Sequence, residues 1–143
     1  MSSVEQRLQA LEDKRALQER ITAYLVAVDD LSSVDAVLAS FTEDAVFDMT
    51  GIDYGRFEGE KELRQFFEGV FAGMSHHAHY ATNFHIDGLQ GDRASCRTHV
   101  IGMGRSKEGD DVLFYLQYHL EYRRTGDGWK ITRFSGKPLL PLS

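Results

Sequence analysis

Histidines that can act as acids or bases are concentrated in one short segment of the chain, residues 76–86. Four of the six histidines lie there, at His76, His77, His79 and His85. The segment contains β-branched and aromatic residues and is followed by a turn-forming Asp-Gly pair, so it is predicted to be a strand. Imidazole is the only side chain whose ordinary pKa lies between roughly pH 5 and 8, so it can take up and return a proton at neutral pH. The segment is therefore a candidate site of proton transfer.

The composition is that of an ordinary globular protein, with 143 residues of which 42% are hydrophobic and 27% charged. This length fits one domain spanning residues 1–143. The net charge of −6, scattered basic residues and lack of a glycine-rich phosphate loop argue against a nucleic-acid partner. The single cysteine, Cys96, excludes an intramolecular disulfide and is expected to be a small buried residue. No signal peptide or membrane-spanning run is recognisable, so we expect a soluble cytoplasmic protein without a membrane partner.

The spacing of apolar residues predicts helices in the first half of the chain, the first with one apolar stripe from Leu8 through Leu11 to Val28. It predicts strands in the second half, and every second residue from Phe114 through Tyr118 to Tyr122 is expected to face inward. The predicted helices cover residues 4–29 or 4–30, 34–41 and 60–71. A short strand is expected at 44–49, and longer strands at 77–89, 93–103, 112–124 and 129–135. This order is typical of the α+β class. We expect three N-terminal helices packed on one strongly curved mixed or antiparallel sheet, which forms a cone with an internal pocket.

Several stretches occur in an order that is typical of one family. They are the Val-Asp pair at 28–29, the His-Tyr-Ala-Thr-Asn run at 79–83 and the Gly-Trp-Lys-Ile run at 128–131. Over nearly its whole length the chain resembles the SnoaL-like family of the nuclear-transport-factor-like superfamily. Within that family it is most similar to scytalone dehydratase and hexachlorocyclohexane dehydrochlorinase. The resemblance implies a cone-shaped α+β fold, lyase activity and a homotrimer, with a dimer as the alternative.

The resemblance also implies an Asp–His catalytic dyad, with the aspartate on the first helix and the histidine on the strand after the third helix. The matching residues are Asp29 and His79. Asp29 shares the apolar face of its helix with Leu25, four positions earlier, whereas Asp30 points about 100° away. The alternative is that Asp29 caps the following turn and His79 is an ordinary core or surface histidine.

Four further residues are predicted to contact the substrate. Tyr24 stands where the dehydrochlorinase has a lysine, one turn before the aspartate, and a core position is its alternative. The dehydrochlorinase also has a basic residue near its last strand, and Arg133 is the candidate for the corresponding position in this chain. Asn83 shares strand parity with His79, so it can reach a substrate oxygen or serve as a structural partner. Trp129 belongs to the aromatic residues that form the core or line an apolar pocket.

The other histidines suggest two further possibilities, a second catalytic histidine and a zinc site. The second histidine of scytalone dehydratase falls at Gly104 in a gapless count, with His99 nearby but out of phase. His77, His79 and His85 share strand parity, so a zinc site is geometrically conceivable, although no carboxylate or cysteine completes the set. We therefore expect no metal and no cofactor.

These residues predict a cofactor-independent lyase of the dehydratase or dehydrohalogenase type. It would use the Asp–His dyad to remove a proton from a small, largely apolar cyclic substrate. One alternative is an isomerase or cyclase, which moves a proton without losing a leaving group. Another is a non-catalytic small-molecule binding or association subunit, similar to the β subunits of ring-hydroxylating dioxygenases, which share the fold.

Overall fold

The computed structural model describes residues 3–141, which form three helices and a six-stranded mixed sheet. The helices are α1 (Val4–Asp30), α2 (Val34–Leu38) and α3 (Gly59–Gly73). The strands are β1 (Phe41–Asp48), β2 (Arg56–Glu58), β3 (Met74–Gln90), β4 (Arg93–Ser106), β5 (Asp111–Thr125) and β6 (Gly128–Pro138). Their order in the sheet is β2-β1-β6-β5-β4-β3, with β1 and β6 parallel and all other neighbours antiparallel. The predicted α+β class is confirmed, and the sheet is not closed, which gives a cone-like arrangement. The outer residues 1–2 and 142–143 of the predicted single domain lie outside the described residues.

Helix α1 has well-defined ends. Ser3 and Gln6 form a capping box at its start, and Leu31, in a left-handed conformation, ends it. The predicted apolar stripe is buried over the second half of the helix, from Leu17 to Val28. Leu8 and Leu11, which the periodicity also placed on this stripe, are 53% and 66% exposed. The first turns of the helix therefore contribute little to the core.

The segment after α1 differs most from the prediction. Ser33 caps α2, but the helix ends at Leu38 instead of continuing to Phe41, which already belongs to β1. The Ile131 main-chain N–H donates to the Ser40 carbonyl at 2.8 Å, so pairing with β6 starts here. A long-range sheet contact thus overrides the local helical pattern. The short strand β2 was not predicted.

The core lies between the inner face of the sheet and the helices. The alternation predicted for β5 is confirmed, because Leu116, Tyr118, Leu120 and Tyr122 are all buried. Six aromatic rings pack edge-on or tilted against one another between α1, α3, β1 and β6, namely Tyr24, Phe41, Phe47, Phe66, Phe67 and Phe134. Cys96 is fully buried, and this burial raises the pKa of its thiol to about 12, so it stays protonated at neutral pH.

None of the helices in residues 3–141 is long and apolar enough to cross a membrane. The cytoplasmic location stays a prediction.

Candidate active site

A cavity of about 260 Å³ opens between α1, α3 and the strands β3, β4 and β5. Its wall is mainly aliphatic and aromatic, with Val28, Phe47, Ile52, Phe66, Val112 and Phe114 among the lining residues. The polar side chains that reach it are few, namely Tyr24, Tyr54, His77, His79 and Tyr118. An apolar pocket with a few convergent polar groups is the usual form of a small-molecule site.

Asp29 and His79 form a closely hydrogen-bonded pair at this cavity. The carboxylate Oδ1 lies 2.5 Å from the imidazole Nδ1. The main-chain N–H of His79 donates to the other oxygen, Oδ2, at 3.0 Å. A carboxylate only accepts, so Nδ1 carries the hydrogen and Nε2 is the free nitrogen. Nε2 has no hydrogen-bond partner within residues 3–141, and the ring lines the cavity.

Two glycines on β4 make room for the histidines on β3. His77 pairs with Gly104 and His79 pairs with Gly102 in the antiparallel register. A Cβ atom at Gly102 would lie 3.1 Å from the Cδ2 of His79, and one at Gly104 would lie 2.9 Å from the Cδ2 of His77. The His-x-His sequence on one strand therefore matches Gly-x-Gly on the next.

His77 also lines the cavity, although the sequence suggested no role for it other than as part of a conceivable zinc site. Its Nδ1 lies 3.3 Å from the main-chain carbonyl of Val28, and its ring centroid lies 5.6 Å from that of His79, nearly perpendicular to it. Burial lowers the pKa of His77, although the hydrogen bond to Val28 acts in the opposite direction. The strand parity that His77 shares with His79 was the available sequence signal.

Two tyrosines lie beside the dyad. Tyr24 on α1 and Tyr118 on β5 are both buried and both line the cavity. Burial is the main cause that raises the pKa of each phenol, and the charge of Asp29 adds to it. Both therefore stay neutral and can donate a hydrogen bond. Tyr24 was predicted to contact the substrate, whereas Tyr118 was predicted only as an inward-facing residue.

The structure places Asn83 away from the cavity. Asn83 is exposed, has a positive φ of 56° and lies where the β3–β4 register shifts between Thr82 and His85. This bulge breaks the strand parity with His79 on which its predicted role depended. Its side-chain amide instead lies 3.4 Å from Nδ1 of His99.

The same shift separates the three histidines that were weighed as a zinc site. His77 and His79 line the cavity, but Nε2 of His85 lies 3.5 Å from Asp87 in an exposed pair. Within residues 3–141 no group of three His, Cys, Asp or Glu side chains is arranged to hold a metal.

Arg133 and Trp129 also lie outside the cavity lining. Arg133 follows the opposite face of β6 from the buried Phe134, and its guanidinium donates to Asp48 at 3.3 Å. Trp129 is buried near the first half of α1, where its indole N–H donates to Asp13 at 3.4 Å. The structure therefore brings Asp29, His79 and Tyr24 together, and it does not bring Asn83, Arg133 or Trp129 to them.

Fold and site together define a small cone-shaped α+β domain with an Asp–His pair in an apolar pocket. The family model for the SnoaL-like domain matches residues 9–135, so the chain belongs to the SnoaL-like family. No curated protein sequence matches the chain significantly.

Solved structures with the same fold cover most of the chain. A provisionally assigned aromatic ring hydroxylase from Novosphingobium aromaticivorans is 52% identical, with a TM-score of 0.91 and 93% of each chain covered. A provisionally assigned scytalone dehydratase from the same organism is 23% identical, with a TM-score of 0.82, covering 92% of this chain and 87% of that one. A type 2 hexachlorocyclohexane dehydrochlorinase is 22% identical, with a TM-score of 0.81, covering 96% and 93%. The last two show a shared fold.

Proposed function

We propose that the protein is a cofactor-independent lyase in which His79 removes a proton from a carbon atom of a small cyclic substrate. One observation carries this proposal: His79 is held by Asp29 through Nδ1 and its main-chain N–H, while Nε2 is free at an apolar cavity. An imidazole with one nitrogen fixed and the other free is the arrangement that general-base catalysis requires.

The proposed reaction is an elimination. The bare Nε2 takes a proton from carbon, and the electron pair of the broken C–H bond forms a double bond as the leaving group departs from the neighbouring carbon. The Asp29 carboxylate stabilises the imidazolium that results. If the leaving group is hydroxide, the imidazolium gives the proton to it and water is released. If it is a halide, the halide departs as the anion and the imidazolium then gives its proton to solvent water. Tyr24 and Tyr118 can donate hydrogen bonds to a substrate oxygen where negative charge develops.

The cavity and the neighbours support a small, largely apolar substrate. A volume of about 260 Å³ with a mainly apolar wall suits a molecule built on one ring. Two structural neighbours are described as a scytalone dehydratase and a hexachlorocyclohexane dehydrochlorinase, both of which are lyases. At 22–23% identity these two neighbours support only a shared fold. The geometry of the Asp29–His79 dyad in this chain supports the chemistry.

A turnover assay over hydroxylated cyclic ketones and halogenated rings tests this function, with product mass as the readout. Loss of the mass of water or of a hydrogen halide is the expected result. His79→Gln should reduce the rate about 10²–10⁴-fold. His85→Gln is the matched control, because His85 lies on the same strand but is exposed and outside the cavity. Full activity in His79→Gln would exclude His79 as the base.

An isomerase or cyclase is the second candidate. A ketosteroid isomerase-like protein from Erwinia carotovora has the same fold, with 22% identity, a TM-score of 0.73 and coverage of 89% of this chain and 96% of that one. The same dyad can take a proton from one carbon and return it to another. In that case the mass of the product equals that of the substrate, and the assay described above separates the two reactions.

A third candidate is an association subunit of an oxygenase, because the 52% identical relative is described as an aromatic ring hydroxylase. Hydroxylation by dioxygen needs a redox-active group, which a partner subunit can supply. The chain would then work beside a larger iron-containing subunit. Co-purification with such a subunit, together with no turnover by the chain alone, is the result that would favour this function.

We also propose that the protein is a homotrimer, with a dimer as the alternative. The outer face of β3, β4 and β5 exposes a set of large apolar side chains, namely Tyr80, Ile101, Met103, Leu113 and Tyr115. The strand register makes Tyr80, Ile101 and Tyr115 one row and places Met103 beside Leu113 in the next. A contiguous apolar surface of this kind is typical of an interface.

Light scattering after size exclusion tests the oligomer. We expect about three times the chain mass for the wild type and a lower mass for Ile101→Lys. Leu11→Lys is the control, because Leu11 is an exposed leucine on α1 and not on this face of the sheet. If the wild-type protein is a monomer at micromolar concentration, the proposed oligomer is wrong.

A further inference from the structure

The cavity contains a second imidazole that the proposed base mechanism does not use. His77 and His79 lie two residues apart on β3, and both rings line the cavity. We propose that Nε2 of His77 accepts a hydrogen bond from a hydroxyl group of the substrate, so that the site selects hydroxylated rings over rings that carry only halogens. This inference rests on the proposed function, since it names the substrate class of the same cavity.

The tautomer of His77 follows from its hydrogen bond. Nδ1 lies 3.3 Å from the carbonyl oxygen of Val28, and a carbonyl oxygen can only accept. Nδ1 therefore carries the hydrogen, and Nε2 of the neutral ring is an unprotonated acceptor. Burial keeps the ring neutral by lowering its pKa, and the charges that act on it come from His79 and Asp29. Tyr24, across the cavity, is a neutral phenol.

The described residues around Nε2 of His77 provide no hydrogen-bond donor for it, so a ligand can bind there. Nε2 of His77 has no hydrogen-bond partner within residues 3–141, and no lysine or arginine lines the cavity. Gly104 faces the ring, so β4 offers no side chain at that position. The other close neighbour, Met74, has no strong donor. When a ligand displaces water from such a site, an acceptor without a donor is costly, so a ligand hydroxyl is favoured.

The two histidines then have different tasks. Asp29 supports an imidazolium at His79, whereas burial favours the neutral ring at His77. Their ring centroids lie 5.6 Å apart, so one small ring can present a hydroxyl to His77 and a C–H bond to His79. A site that hydrogen-bonds a substrate hydroxyl discriminates strongly against analogues that lack it.

Binding of phenol and anisole to the wild-type protein tests the inference without any turnover. The two probes share the ring and differ in the hydroxyl hydrogen. In protein labelled with ¹⁵N-histidine, phenol should shift the Nε2 resonance of His77, and anisole should leave it in place. By calorimetry, phenol should bind about 10- to 100-fold more tightly than anisole, which is the value of one hydrogen bond.

The variant His77→Phe keeps an aromatic ring and removes the acceptor, so phenol should bind it no better than anisole. His77→Gln is the second variant if the phenylalanine does not fold, and the measurement on the wild type needs neither. Equal binding of the two probes, no binding at millimolar concentration, or a phenol shift at His79 instead of His77 would overturn the inference.

Failure of the inference can be told apart from failure of the proposed function. His79→Gln should abolish elimination while phenol still shifts the His77 resonance. If no elimination is found on any substrate but the probes bind as expected, the hydroxyl site stands and the lyase function fails. If elimination occurs equally well on hydroxylated and purely halogenated rings, the lyase function stands and the hydroxyl site fails.

Discussion

Two aspartates of helix α1 contact the sheet, Asp13 in the first half of the helix and Asp29 in its last turn. Their hydrogen-bond partners differ. Asp13 accepts from both terminal nitrogens of Arg124, at 3.1 and 3.2 Å, from Gln9 at 3.0 Å and from Trp129 at 3.4 Å. The guanidinium of Arg124 also lies 4.3 Å from the centre of the Trp129 ring. Among the described residues, Asp29 accepts only from the ring and the main-chain N–H of its partner histidine.

The two aspartates differ in the chemistry of their partners, Arg124 and His79. Arginine stays charged at every ordinary pH, and all three guanidinium nitrogens of Arg124 donate to Asp13 or Asp92. Histidine is titratable, and one of its nitrogens remains free at the cavity. The same helix thus carries a structural ion pair at one end and a potential acid–base pair at the other.

The largest expected effect is on the rate of the elimination reaction, at the dyad end. Asp29→Asn and His79→Gln should each reduce turnover about 10²–10⁴-fold, since each removes the oriented base. The double variant should be no slower than the slower single variant, because the two residues act as one unit. Arg124→Met should change turnover less than about threefold per folded molecule. Independent, multiplying effects of the two dyad variants would contradict the shared role.

The next effect is on stability, at the Asp13 end. Arg124→Met leaves the largely buried Asp13 carboxylate without its charged partner, so the free energy of unfolding should fall by about 1–3 kcal/mol. Urea unfolding measures it. Arg15→Met is the control, because the Arg15–Glu19 pair on the same helix is highly exposed and its loss should change the free energy of unfolding little. Equal effects of the two variants would mean that burial does not distinguish the pairs.

A smaller effect is expected in acid. The pKa of Asp13 is lowered, because hydrogen bonds from Arg124, Gln9 and Trp129 outweigh the opposing effect of burial. Its stabilising contribution is present above the unfolded pKa of 3.8 and is lost as the pH falls through the folded value. Between pH 5 and roughly pH 2, Asp13→Asn should therefore lose less stability than the wild type. A parallel loss in both proteins would show that Asp13 is not the group responsible.

The smallest effect is expected at His77. Its pKa is lowered in the folded state, so the unfolded chain binds the proton more readily. Stability is complete above the unfolded pKa of 6.5 and declines as the pH falls from there through the folded value. His77→Gln should remove this part of the decline, which chemical denaturation at a series of pH values measures. An unchanged decline in this variant would assign it to other groups.

The fold was largely predictable because its patterns are long and local. The apolar spacing of α1 and the alternation from Phe114 to Tyr122 each extend over many residues, so single exceptions do not obscure them. The end of α2 was less predictable, since pairing of Ser40 with Ile131 depends on a contact between distant parts of the chain. Boundaries that are set by such contacts carry little local signal.

The site was predictable only in part, for a similar reason. Asp29 and His79 could be placed from the family resemblance, and the structure brings them together. The displacement of Asn83 depends on a β-bulge, which shifts the residues that directly follow it to the other face but leaves no clear mark in the sequence. The position of His77 opposite Gly104 depends on the register of two strands, which one strand alone does not determine.

The main-chain hydrogen bond from residue 79 to Asp29 has an evolutionary consequence. Every residue except proline provides this N–H, so one anchor of the carboxylate does not require a histidine at that position. A single substitution at position 79 would keep this anchor and release Oδ1, which now accepts from the imidazole. The aspartate could then act as a base itself. A lineage could in this way exchange its proton acceptor in one mutational step while the rest of the pocket is inherited unchanged.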